Sequence, residues 1–189
     1  MVVALVVAVV GSIIVIVFAL GDPVPRRREF DRLCAVNPGV ELREWTHIIL
    51  HHSATEAGGA ATFDRYHRGL GWDRGLGYNF VIGNGTRTGD GEIEVGDRWR
   101  RQTRGAHCKA GDMNARAVGI CFVGNFETDE GPSEAQLRAG ADLVRYLAWR
   151  FAIPCGNILG HGEVTGARTQ CPGRFFPIER MRAAAREAR

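Results

Sequence analysis

Hydrophobic positions follow three different patterns along this chain. Met1 to Leu20 carries no charged residue and is broken only by Gly11 and Ser12. As a helix that run would be roughly 30 Å long, enough to cross a bilayer. The later apolar runs are short and β-branched. Thr46 to His52 suits a buried strand, and Tyr78 to Ile82 a second one closed by the Gly83-Asn84-Gly85 turn, with Glu92 to Val95 as a short hairpin partner. Val118 to Val123 is apolar without alternation, as expected of a strand covered on both faces, and belongs in the middle of a sheet.

The third pattern is helical. Thr62 to Arg68 reads as one helix. Ser133 to Phe151 reads as a longer one, opened by a capping box of Ser133 with Gln136 and stopped by Pro154. Its stripe is Leu137, Ala141, Val144, Ala148 and Phe151, at spacings of four and three. A last helix is expected to start at Pro177 and run through Ile178, Met181 and Ala185. Strands interleaved with helices predict an α/β fold: a single domain with a central mixed β-sheet flanked by helices, preceded by an N-terminal apolar helix. The expected boundaries are 1–21 for the apolar segment, 22–44 for a linker and lead-in marked by Pro23, Pro25, Pro38 and Gly39, and 45–189 for the domain proper. One helical turn is expected in the lead-in, around Phe30 to Ala35.

Composition narrows this picture. A chain of 189 residues, less the apolar run, has room for one domain with its own core. The net charge is only +3, Lys109 is the sole lysine, and no basic stripe of the nucleic-acid-binding kind is present. Arginines cluster at Arg26 to Arg28 and at Arg180, Arg182, Arg186 and Arg189. They suit a solvated basic face first, and an anionic polymer or lipid head groups second. The N-terminal run has three readings. It is a cleaved export signal, with small residues at Ala19 and Gly21; an uncleaved membrane anchor; or the product of a start displaced from missing basic residues. Arg26 to Arg28 just beyond it favour a cytoplasmic location for the remainder of the chain.

Candidate chemistry lies near the C-terminus. Gly160-His161-Gly162-Glu163 and Thr169-Gln170-Cys171-Pro172 offer an imidazole and a thiolate within one loop's reach. His51 stands at the end of an apolar strand, and its neighbour His52 points to the opposite face. Two histidines and one cysteine suit Zn²⁺ and leave a fourth position open, the arrangement of a catalytic site. His47 and His67 read as structural. His107, in a glycine-bearing loop, reads as a cleft residue and not a ligand. With Cys171 assigned to metal, Cys34 and Cys155 are a possible disulfide pair. The alternative is free buried thiols, with Cys121 acting as a small hydrophobe.

These segments together resemble the type 2 N-acetylmuramoyl-L-alanine amidases, which include phage lysozyme-type amidases and the peptidoglycan recognition proteins. The resemblance covers roughly Trp45 to Pro177. It rests on five ordered blocks: Leu50-His51-His52-Ser53-Ala54-Thr55; Gly77-Tyr78-Asn79-Phe80-Val81-Ile82; Gly105-Ala106-His107 with Asn114; Val118 through Phe126; and Gly160-His161 through Cys171-Pro172-Gly173. It implies that His51, His161 and Cys171 hold zinc, that Tyr78 and Thr169 are catalytic, and that His107 and Asn114 line the substrate cleft. Two residues before the cysteine, some phage enzymes carry lysine and many recognition proteins threonine; here the residue is Thr169, preceded by Arg168.

The implied reaction is hydrolysis of the amide between N-acetylmuramic acid and L-alanine in peptidoglycan, or in a muropeptide, on the extracytoplasmic side. A monomer is expected, with membrane contact only through an uncleaved N-terminal helix. Two other function classes fit some of the same residues: a peptidoglycan-binding module without catalysis, and a cell-wall peptidase using Cys171 as nucleophile with a histidine base.

Overall fold

The computed structural model describes residues 4–10, 13–19, 26–128 and 130–188, the first two stretches through their backbone alone. In chain order the elements are β1 (Ala4–Val10), β2 (Ile13–Ala19), α1 (Arg27–Leu33), β3 (His47–His52), α2 (Ala60–Gly69), β4 (Phe80–Ile82) and β5 (Ile93–Val95). Next come α3 (Asp97–Arg100), α4 (Met113–Arg116), β6 (Ala117–Phe122), α5 (Glu134–Arg150), β7 (Ile158–Gly160) and α6 (Ile178–Arg186).

Five strands make one mixed sheet in the order β5-β4-β6-β3-β7. β4, β6, β3 and β7 run parallel, and β5 pairs antiparallel with β4 at the edge. β6, fully buried along its length, occupies the centre, as its unbroken apolar run requires.

Alternation along the strands gives the sheet two different faces. Ile48 and Leu50 of β3, Phe80 and Ile82 of β4, and Val118, Ile120 and Phe122 of β6 join the main core. There they meet Leu143, Val144 and Leu147 of α5 and Met181 and Ala185 of α6. The intervening residues, Ile49, Val81 and Cys121, belong to two smaller apolar clusters. The first face is therefore sealed by long helices. The second is covered by the shorter α2 and α4 and by loops, which leaves room there for polar chemistry.

α5 forms where the capping box predicts it. Ser133 Oγ accepts from Gln136 N at 3.0 Å, while Gln136 Oε1 accepts from Ser133 N at 3.2 Å. The same glutamine is buried, and its side-chain amide donates to Val123 O at 2.9 Å, pinning the helix start to the end of β6.

One expectation needs correction. The apolar N-terminal run, expected as one helix, is two antiparallel strands, β1 and β2, flanking Gly11 and Ser12. Val and Ile dominate both strands, and their β-branched side chains favour extended backbone. Among the described residues no helix is long and apolar enough to cross a membrane.

The segment read as lead-in also contributes to the core from Arg27 onward. Phe30 of α1 stacks on Tyr146 of α5 at 5.5 Å, Tyr146 donates to Asp31 Oδ1 at 3.0 Å, and Trp99 Nε1 donates to Cys34 O at 2.9 Å. Of the two readings of the cysteines, free thiols hold: Cys34 and Cys155 are not joined, and all five cysteines are free.

Candidate active site

His51, at the C-terminal end of β3, points to the sheet face that the long helices do not cover, and it is buried. His52 points the other way, where its Nδ1 accepts from Phe126 N at 3.1 Å. Next to β3, β7 ends at Gly160 and leads into a single 3₁₀ turn, His161–Glu163, that carries the second imidazole. The third group, Cys171, is brought back by a hydrogen bond from Gly162 N to Cys171 O at 2.7 Å. A glycine is needed at 162 because a Cβ there would lie 2.6 Å from Thr169 O. The ligand atoms of His51, His161 and Cys171 all lie within 4.8 Å of one another, with Cys171 Sγ 3.5 Å from His51 Nδ1.

Burial, followed by the neighbouring imidazoles, holds His51 well below the ordinary histidine value; burial alone lowers His161. Both rings are therefore neutral at pH 7 and offer lone pairs. Burial pushes the Cys171 thiol up to about 12, so without a cation it keeps its proton. Two neutral imidazoles and a thiol that only a nearby cation would deprotonate form a donor set that fits zinc.

Tyr78 precedes β4. Its ring lies 5.2 Å from that of His51, and the segment is held by a hydrogen bond from Gly77 N to His67 Nδ1 at 3.2 Å. The neighbouring Cys121 sulfur, and then burial, raise its phenol far above the ordinary value, so the hydroxyl stays protonated and can donate. His67, read as structural, also stacks on Trp72 at 4.6 Å.

Thr169 is exposed, and its Oγ1 accepts from Cys171 N at 3.1 Å. Arg168 beside it is exposed as well. Thr169 and Cys171 line one depression with Gly160, Glu163 and Arg174. A second depression, lined by Ser53, Thr55, Phe63, Tyr66, His67 and Tyr78, opens beneath α2. Cys171 thus borders a mixed polar hollow, and Tyr78, beside His51, borders a more apolar one.

The remaining pair expected in the cleft is placed differently. His107 is buried, with Nδ1 3.1 Å from His51 Nε2 and Nε2 3.4 Å from Ala117 O. Burial lowers it to about 3, so it too is neutral. Asn114 is a brace: its Oδ1 accepts from His107 N at 2.7 Å and from Cys108 N at 2.8 Å.

Sequence reasoning missed Glu163, whose Oε2 accepts from Gly160 N at 2.7 Å and from Arg182 Nη2 at 2.8 Å. The signal was available, since an acidic residue three positions after a strand end is a capping pattern. It also missed Asn79, fully buried, whose Oδ1 accepts from Gly119 N at 2.8 Å and joins the Tyr78 segment to β6.

Comparison with known proteins bears on this geometry. The profile of a family described as N-acetylmuramoyl-L-alanine amidase matches residues 41–174. An N-acetylmuramoyl-L-alanine amidase of Sus scrofa is 38% identical over 128 residues, covering 63% of this chain; the chain spans only 19% of that protein's length. Peptidoglycan-recognition protein SC2 of Drosophila melanogaster is 36% identical over 138 residues, 68% of each chain. Among solved structures, the endolysin N-acetylmuramoyl-L-alanine amidase LysCS from Clostridium intestinale superposes with a TM-score of 0.63 at 31% identity, covering 74% of this chain and 82% of that one.

Proposed function

Because the chain belongs to the N-acetylmuramoyl-L-alanine amidase family, we propose that it is a zinc amidase cleaving the amide between N-acetylmuramic acid and L-alanine in peptidoglycan or its fragments. The observation that carries the proposal is the convergence of His51, His161 and Cys171. These three residues would hold Zn²⁺. When bound, the metal would acidify water and polarise the scissile carbonyl.

The chain's own residues supply the rest. Tyr78, kept protonated, donates a hydrogen bond to the oxygen on which charge develops. Thr169 holds Cys171 N and stands open to the substrate side. His107 and Asn114 act behind the site, His107 on His51 and Asn114 on the loop that carries His107. The hollows bordered by Cys171 and by Tyr78 offer the polymer surfaces on which to lie.

A second reading, peptidoglycan recognition without cleavage, is favoured by the likeness to Drosophila SC2, whose name states recognition. Cys171 weighs against it, because a recognition module has no need of a buried thiol beside two imidazoles. The cysteine peptidase reading lacks support of its own: a thiol held near 12 beside an imidazole held low does not form the ion pair such a nucleophile needs.

Muropeptide cleavage followed by mass spectrometry separates these readings. Chelation is expected to abolish cleavage and added zinc to restore it. Zinc binding without cleavage would establish recognition, and activity that survives chelation but not thiol alkylation would establish the peptidase.

We place the domain on the extracytoplasmic side, where peptidoglycan lies, as a monomer exported by its N-terminal apolar segment. Mapping the mature N-terminus in envelope fractions tests this. A start beyond Gly21 identifies a cleaved signal, an intact Met1 an anchor, and purely cytoplasmic protein overturns the placement.

A further inference from the structure

Two glycines stand against the His107 ring. A Cβ on Gly119, in the middle of β6, would lie 2.4 Å from His107 Cδ2 and 2.6 Å from its Cγ. A Cβ on Gly105 would lie 2.4 Å from the same Cδ2. Both distances are far inside van der Waals contact, so the ring fills space that any other residue at 105 or 119 would take. The backbone on both sides is fixed as well. Asn114 holds His107 N, and Asn79 brackets Gly119 with hydrogen bonds to its N–H and from its own N–H to Gly119 O, at 2.8 and 2.9 Å. The chain has built a slot with one ring in it.

The hydrogen bonds of that ring run in one direction only. Ala117 O can only accept, so His107 Nε2, 3.4 Å away, carries the hydrogen. In a neutral imidazole the other nitrogen is then an acceptor. His107 Nδ1 therefore receives the hydrogen of His51 Nε2 across 3.1 Å, which leaves the lone pair of His51 on Nδ1. That is the nitrogen facing Cys171 Sγ, and the one whose lone pair the ligand set requires.

We propose that Gly105 and Gly119 form a slot for His107, a positioning residue that fixes His51 as its Nε2–H tautomer with Nδ1 free to bind zinc. This rests on the zinc reading of the site. It assigns to His107 the part that a carboxylate or carbonyl more often takes behind a metal-bound histidine. An imidazole there works only if its own second nitrogen is anchored, which is what Ala117 O does.

The test separates the tautomer from the metal. Long-range ¹H–¹⁵N spectra of the metal-free full chain should show His51 protonated at Nε2 alone. His107→Phe, which fills the slot without an acceptor, and Gly119→Ala, which crowds the ring, should both give a mixture of tautomers. His107→Asn, which keeps an acceptor near the Nδ1 position, should retain the wild-type pattern.

Zinc affinity, by competition with a chromophoric chelator, should fall by roughly 10- to 100-fold in the first two variants and much less in His107→Asn. Circular dichroism reports whether each variant is folded. If Gly119→Ala does not fold, His107→Phe against His107→Asn still decides. Protonation of His51 at Nδ1 in the wild type, or unchanged affinity in folded His107→Phe, overturns the inference while leaving the zinc reading intact. Wild-type protein that shows the Nε2–H tautomer yet binds no zinc overturns the zinc reading, and the metal half of this inference with it.

Discussion

Arg182 of α6 reaches the candidate metal centre through Glu163, whose Oε2 it meets at 2.8 Å while that same oxygen caps Gly160 N. The guanidinium is anchored on its own helix by Glu179 and donates to Ile158 O at 3.1 Å, so α6 braces both ends of β7 just before His161. Glu163→Ala leaves the buried Gly160 N–H without its acceptor, at an expected cost of about 1 to 3 kcal/mol. Because the 3₁₀ turn carrying His161 is then less defined, zinc affinity is expected to drop by about tenfold. Denaturant unfolding and chelator competition read the two effects separately.

Buried and half-buried histidines make the metal-free protein sensitive to acid. His51, His107 and His161 are all held below the ordinary value, His107 to about 3. A group with a lowered folded value binds protons more readily when unfolded. The stability it contributes is thus present above about 6.5 and lost as pH falls towards the folded value. For the buried His107 the slope is on the order of 1 kcal/mol per pH unit.

At the alkaline end the sign is reversed. Cys34 and Cys171, both raised to about 12 chiefly by burial, contribute stability that is present below about 9 and lost as pH rises through 12. Melting temperatures of the metal-free protein are therefore expected to fall both from pH 7 to 4 and from pH 9 upward. With zinc bound, the Cys171 share of the alkaline loss is expected to vanish, because the ligand is already a thiolate.

The sequence carried most of this architecture because its strongest signals are local. The unbroken apolar run of β6, the capping box of α5 and the alternation that sends His51 and His52 to opposite faces are each legible within a few residues. What was not legible depends on contacts across long separations. Whether His107 opens to solvent or lies behind His51 turns on two absent side chains, Gly105 and Gly119, the latter in a different element. Phe30 looked like part of a proline-rich lead-in because nothing near it in sequence says that Tyr146 completes its stack. The N-terminal run differs from expectation for another reason. Its length and lack of charge fit a spanning helix, whereas its Val and Ile content fits strands, and the second signal prevails in β1 and β2.

Ser133 offers a control remote from the chemistry. Its hydroxyl caps α5 by accepting from Gln136 N and donates to Asp90 Oδ1 at 2.6 Å. Ser133→Ala removes the cap, with an expected loss of about 1 kcal/mol. Zinc affinity and cleavage are expected to stay at wild-type values, since the cap touches none of the ligand-bearing loops. A loss of activity larger than the stability change accounts for would mean that α5 communicates with the cleft.

Tyr78→Phe isolates the hydroxyl from the ring. The ring lies 5.2 Å from His51 and helps line the hollow beneath α2, so phenylalanine preserves the packing and removes only the donor. If that donor meets charge that develops during hydrolysis, the variant is expected to bind zinc and muropeptide with wild-type affinity. Its kcat should fall by roughly 10²- to 10³-fold, the usual consequence of deleting one donor to a developing oxyanion. The split between kcat and KM is the decisive reading: an unchanged kcat with a raised KM would assign Tyr78 to substrate binding. Because the phenol is held far above its ordinary value, the remaining pH dependence of the wild type should show no alkaline limb from Tyr78. A limb near the ordinary tyrosine value of about 10 that disappears in the phenylalanine variant would identify the hydroxyl as a titrating base and not a donor.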